Sequence, residues 1–137
     1  MIFDGGIGTA LLAKTQFDGF VDLLNLENPD LVASIHSEFL DSGCDVITTN
    51  SFCCLNSMMD NCGEVAFEAA IIAKKTAGQK LVAGSIGPGY EMPTHKDYEK
   101  TVQGLVDGGA DLLVIESVTN LQQAKIVLDV INSTLPV

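Results

Sequence analysis

Four short apolar runs, each followed by a longer stretch with helical spacing, set the narrowest limit on what this chain can fold into. The runs are Met1-Ile2-Phe3, Val46-Ile47-Thr48, Leu81-Val82-Ala83 and Leu112-Leu113-Val114-Ile115. None carries the polar alternation of a strand with one wet face, so each is expected as a parallel strand buried on both faces. Between them, helix starts are expected at Asn28 with Pro29 behind it, at Asn61 with Glu64 three later, and at Thr119 with Gln122 three later. Leu31, Ile35 and Phe39 mark one helical face, as do Val65, Ala69 and Ile72, Tyr98, Val102 and Leu105, and Leu121, Ala124 and Leu128. Ser42-Gly43, Ala77-Gly78 and Gly108-Gly109 stand just before the second, third and fourth runs, where helix-ending glycine belongs.

The order is therefore β-α four times. Parallel strands joined by helices leave two main architectures, a doubly wound sheet and a (β/α)8 barrel. After the fourth helix, near Asn132, Ser133-Thr134-Leu135-Pro136-Val137 reads as a loop entering a further strand. The alternatives at this point are a complete four-stranded α/β domain and a truncated barrel.

With 137 residues, 47% of them hydrophobic, the chain can bury one core, and a single domain over 1–137 is expected. Seven Lys plus Arg against 18 Asp plus Glu give a formal charge of -11, which repels phosphate backbones and anionic headgroups. Nucleic acid and membrane are thus not expected partners. No run approaches the ~20 apolar residues of a membrane span, and the start has neither half of a signal peptide, so the cytoplasm is the expected compartment. There Cys44, Cys53, Cys54 and Cys62 are expected as reduced thiols.

Ligands of such folds meet the carboxyl ends of the strands. The four runs lead into Asp4-Gly5-Gly6-Ile7-Gly8-Thr9, Thr49-Asn50-Ser51-Phe52, Gly84-Ser85-Ile86-Gly87-Pro88-Gly89 and Glu116-Ser117. Two acids, an amide and glycine-turn amides at one rim suit a zwitterionic amino acid, with carboxylates for its ammonium and backbone N–H groups for its carboxylate. Taken one at a time, these are also ordinary turn residues of βα loops. A phosphate suits the set less well. Gly6-Ile7-Gly8-Thr9-Ala10-Leu11 lacks the third glycine of a dinucleotide fingerprint, and no P-loop Gly-Lys-Ser/Thr occurs.

The stretch Phe3 to Thr9 resembles the Asp-Gly-(Ala/Gly)-x-Gly-Thr opening of the homocysteine S-methyltransferase family. Further blocks follow in order: Leu24 to Pro29, Ile35-His36-Ser37-Glu38-Phe39, and Ser42 through Thr48-Thr49-Asn50-Ser51-Phe52. Gly84-Ser85-Ile86-Gly87-Pro88 and Gly109 through Glu116-Ser117 resemble the third and fourth blocks, with Ser117 where Thr is usual. This resemblance implies the N-terminal half of a (β/α)8 TIM barrel, with only the first four βα units present. It implies methyl transfer to the homocysteine thiol, giving methionine, with zinc activating the thiol and methylcobalamin favoured among the donors the family uses. It places the substrate's amino end on Asp4 and Glu116, with Gly5, Gly6, Thr49, Asn50 and Ser51 completing the pocket.

The family's three zinc cysteines lie after the sixth and eighth strands, beyond the units read here, so no metal ligand and no catalytic residue is assigned and the chain by itself is expected to be inactive. Cys53-Cys54 follows the second strand, so its position does not match the family's vicinal pair; packing or loop cysteines are the simpler reading, and a site with Cys62 and a histidine the alternative. His36 and His95 are read as surface or packing residues. Two open sheet edges make self-association, or pairing with a C-terminal half barrel, the expected behaviour, and a non-catalytic amino-acid-binding module the competing function.

Overall fold

The computed structural model describes residues 1–89, 93–132 and 134–137. Helix α1 spans Ile7–Lys14, a 3₁₀ turn Val21–Leu23, α2 Leu24–Glu27 and α3 Pro29–Asp41. Then come β1 Val46–Thr48, α4 Cys62–Ala77, β2 Leu81–Ile86, α5 His95–Asp107, β3 Leu112–Ile115 and α6 Leu121–Ile131. The strands form one parallel sheet in the order β1-β2-β3, with Val46 opposite Leu81 and Ala83 opposite Leu112. The first apolar run joins this sheet by one parallel bridge, Phe3 to Val46, and is not a full strand. Its pairing ends where the chain turns through Gly5-Gly6 into α1.

The helix starts show which cap chemistry is made. Asn28 Oδ1 accepts from Leu31 N at 3.2 Å and Pro29 opens α3, as expected. Asn61 precedes α4 but its side chain caps nothing. The last helix is capped by Asn120, which accepts from Gln122 N at 2.8 Å, one residue later than the Thr119 start read from sequence. Two segments without a clear sequence signal are also helical, α1 and the 21–27 turn. Ser133, part of the expected terminal loop, lies outside the described residues.

Glycines end α3, α4 and α5 as anticipated, with φ of +98° at Gly43, +60° at Gly78 and +90° at Gly109, a region where a Cβ is strained. Two residues beyond Gly43, Asp45 Oδ2 accepts from Ile2 N at 2.9 Å. Two residues beyond Gly109, Asp111 Oδ2 accepts from Val82 N at 2.8 Å and is held by Lys74 Nζ at 2.9 Å. The same aspartate device thus ties β1 to the first run and β3 to β2 at the amino ends of the strands.

The main core packs α4, α5 and α6 against β2 and β3, around buried Tyr98, Leu105, Leu113 and Ile131. Between α4 and α5 the backbones approach so closely that a Cβ on Gly104 would lie 2.3 Å from Gly63 O. The α6 face differs from the sequence expectation: Gln123, Val127 and Ile131 are buried, whereas Leu121 and Leu128 are 74% and 47% exposed. Leu121 and Leu128 form a second apolar stripe, mostly open at Leu121 and half covered at Leu128, which borders a hollow with Leu135 and Pro136. On the edge of β3 away from β2, Leu113 N donates to Pro136 O at 2.8 Å, so residues 135–137 start along the position of a further strand.

Candidate functional site

Every residue singled out at a strand end is described, and five of the seven line one cavity of about 220 Å³. Gly5, Gly6, Thr49, Asn50 and Glu116 border it together with Ser85, Phe52 and Asp22. Asp4 faces an adjoining hollow of about 410 Å³ that shares Gly5, Gly6, Thr48 and Glu116 and reaches from Phe3 across to Val114. Ser51 is buried behind the wall.

Asp4 is placed by the bridge beside it: its amide donates to Val46 O at 3.0 Å. Its carboxylate accepts from Thr48 N at 2.8 Å on one oxygen and from Thr48 Oγ1 at 2.9 Å on the other. Burial pushes the Asp4 carboxyl above its ordinary range; the Thr48 bonds oppose this, and the negative Glu116 nearby adds to it. Glu116 follows β3, its amide bonded to Ile86 O at 2.9 Å and its Oε1 accepting from Ser85 Oγ at 2.5 Å. Ser117, directly after it, holds φ +55°, a strained backbone for a residue with a side chain.

Thr49, Asn50 and Ser51 point their polar atoms into the fold. Ser85 N donates to Thr49 Oγ1 at 2.9 Å, and Ser51 Oγ donates to Ser85 O at 2.7 Å. Asn50 Nδ2 donates to Val21 O at 2.9 Å, and Asn25 Nδ2 returns a bond to Asn50 O at 2.7 Å. The three residues therefore fix the walls, joining β1 to β2 and to the 21–27 turn.

The glycines act differently. Gly6 caps α1 without a side-chain bond, and Gly6, Ile7, Gly8 and Thr9 all border the cavity. The first amides of a helix have no carbonyl a turn earlier to bond, so this end offers free N–H donors and the positive pole of the helix. One border is thus suited to an anion while Asp4 and Glu116 suit a cation. Among the described residues, no Lys or Arg lines either hollow.

Sequence reasoning missed Asp22, a carboxylate only 1% exposed. Its Oδ1 accepts from Cys53 N at 2.7 Å and from Cys54 Sγ at 3.6 Å, which fastens the loop after β1. Burial raises its carboxyl while the Cys53 amide lowers it. An acid between aromatic Phe20 and apolar Leu23 gives no periodic signal, so only the contact with Cys53, 31 residues away, exposes its role.

Zinc, which the sequence resemblance attaches to the family, finds no fitting donor set here. Among the described residues no three His, Cys, Asp or Glu converge as a metal site. Cys53 borders the cavity, but burial, with the Asp22 charge adding, pushes its thiol up to about 11. Cys54 is raised further by deeper burial and the same aspartate. In both cases the Asp22 charge adds to burial in disfavouring the free thiolate.

The whole chain, residues 1–137, matches the sequence profile of the family described as Homocysteine S-methyltransferase. The chain belongs to the homocysteine S-methyltransferase family. It is 30% identical over 154 aligned positions to the methionine synthase of Mycobacterium leprae, covering 91% of this chain and 13% of that protein. The methionine synthase of Mycobacterium tuberculosis gives 29% identity with the same coverage. The chain therefore spans a small part of the length of the relatives it matches.

The fold of this family member agrees with solved structures. The metallated form of the homocysteine methyltransferase MmuM from Escherichia coli superposes with a TM-score of 0.80 at 21% identity, over 96% of this chain and 59% of that one. Its apo form gives 0.77 at 23% identity, over 98% and 55%. The α/β fold with its parallel three-stranded sheet is consistent with part of a TIM-barrel-like fold.

Proposed function

We propose that this chain carries the homocysteine-binding part of a homocysteine S-methyltransferase. The observation that carries the reading is the pairing, around adjoining hollows, of the Asp4 and Glu116 carboxylates with the uncapped start of α1. The homocysteine ammonium would lie between the two acids and its carboxylate against the amides of Ile7, Gly8 and Thr9. Gly6 keeps the start of α1 free of a side chain, Gly5 leaves room for Phe39, whose ring a Cβ there would meet at 3.1 Å, and Thr49, Asn50 and Ser51 hold the wall. Such charge-assisted bonds are worth roughly twice a neutral one. For the donor we favour methylcobalamin, supported by likeness to the two methionine synthases and by no described residue. Thiol activation, for which zinc is the family's expected agent, is not assigned to the residues described.

In the same reading 1–137 is the N-terminal half of a barrel, counting Phe3 as the first of four strand positions. Pro136 beside β3 supports this, because it sits where a next strand would begin. It also favours a complementary half over a second copy, whose Phe3 edge would have to displace residues 135–137.

Calorimetric titration of the reduced chain with homocysteine tests the site. Asp4→Asn and Glu116→Gln should each weaken binding by about 1.5 to 3 kcal/mol, a loss of roughly 10- to 150-fold. Unchanged affinity in both variants removes the assignment.

A further inference from the structure

Ser85 was not among the residues expected to touch substrate, yet it makes the shortest polar contact of the site. It stands on β2 opposite Val114, is 2% exposed, and donates its hydroxyl hydrogen to Glu116 Oε1 at 2.5 Å. A carboxylate accepts only, so the direction of that bond is fixed.

The backbone on either side of this hydroxyl is clamped. Ser85 N donates to Thr49 Oγ1, and Ser85 O accepts from Ser51 Oγ. Ser51 has one hydroxyl hydrogen, already given to Ser85, so in the 2.6 Å contact between the hydroxyls Thr49 is the donor. The result is a closed ring from Ser85 N–H through Thr49 and Ser51 back to the Ser85 carbonyl. Glu116 is held at its other end by Ile86 O, and its Oε2 accepts no hydrogen bond among the described residues.

We propose that Ser85 is a positioning residue for amino-end recognition, turning the free oxygen of Glu116 toward the ligand while Thr49 and Ser51 hold Ser85 in place. The proposal rests on the homocysteine reading above and gives the two buried hydroxyls just after β1 a role at one remove from the ligand. A neutral wall serine would shape the cavity without caring whether the ligand carries an ammonium; a serine acting through Glu116 would care.

The test uses the full chain under reducing conditions, with two probes: homocysteine, and 4-mercaptobutanoate, which keeps the thiol and carboxylate but lacks the amine. Ser85→Ala should lower homocysteine affinity about tenfold and leave the amine-free thiol unchanged. In a Glu116→Gln background the same substitution should produce no further loss, because the two act as one unit. Equal losses for both probes, or full additivity with Glu116→Gln, would overturn the proposal. Wild-type protein that fails to prefer homocysteine over the amine-free thiol would sink the site reading itself. Side-chain ¹³C relaxation of Glu116 in ligand-free protein then decides the positioning claim alone: Ser85→Ala should lower its order, and unchanged order overturns it.

Discussion

His36 shows how far a single side chain can depart from its residue type. It lies on α3 with no exposed surface, and neither ring nitrogen has a hydrogen-bond partner among the described residues. Burial holds its imidazole down to about 4. Between about pH 6.5 and 4 the unfolded chain binds a proton that the folded chain does not, so stability is full above the unfolded value and falls as pH drops toward 4. A shift of this size corresponds to roughly 3 kcal/mol. Urea unfolding at pH 7 and 4.5 should show the wild type losing stability relative to His36→Leu, which leaves no orphaned nitrogen; parallel behaviour of the two proteins would refute this. Raised carboxyls at Asp4 and Asp22 act with the opposite sign, which is why the difference between the proteins is the quantity to read. At this scale the sequence was legible where one residue's position sufficed: Asp4 and Glu116 follow strand runs and do border the hollows. Thr49 and Ser51 sit at an equally suggestive place, but the direction of a hydroxyl depends on Ser85, more than 30 residues away.

Among the elements, the second, third and fourth apolar runs and the glycine stops before them were legible because each follows from local backbone geometry, whereas the first run makes only the Phe3 bridge. Helix α1 was not, since Ile7–Lys14 mixes Gly8 and Thr9 with consecutive apolar residues and presents no clear single face. The α6 face was misassigned for a related reason: the helix has two apolar stripes, and only tertiary packing selects Val127 and Ile131 over Leu121 and Leu128. Packing of α4 on α5 gives a case where magnitudes decide. Gly104→Ala inside α5 gains about 1 kcal/mol of helix propensity. The new Cβ, however, would meet Gly63 O at 2.3 Å and Phe67 N at 3.1 Å, backbone atoms that can yield only if the helices part. Overpacking of this kind costs about 1 to 3 kcal/mol, and with backbone on the other side the upper end applies. Gly104→Ala should therefore lower the midpoint of thermal unfolding, and a rise would show that α5 has room to move.

At the largest scale, the described residues form a three-stranded parallel sheet packed by helices, with a border at each edge. One border is the Phe3 bridge, with Met1, Ile2 and Phe3 exposed; the other is β3 with residues 135–137, beside the Leu121–Leu128 stripe. Unpaired backbone next to exposed apolar side chains promotes association. Sedimentation velocity of the isolated chain should reveal concentration-dependent self-association, relieved by Leu121→Lys with Leu128→Lys. A strictly monomeric wild type would mean that these borders are self-sufficient. No helix among the described residues is long and apolar enough to cross a membrane.

The aspartate ties from Asp45 to Ile2 and from Asp111 to Val82 lie at the foot of the strands, opposite the hollows. Like staves hooped at one end, the strands are bound together away from the hollows. The mouth is left to loops whose sequence can drift and whose ligands can change while the hoop keeps its form.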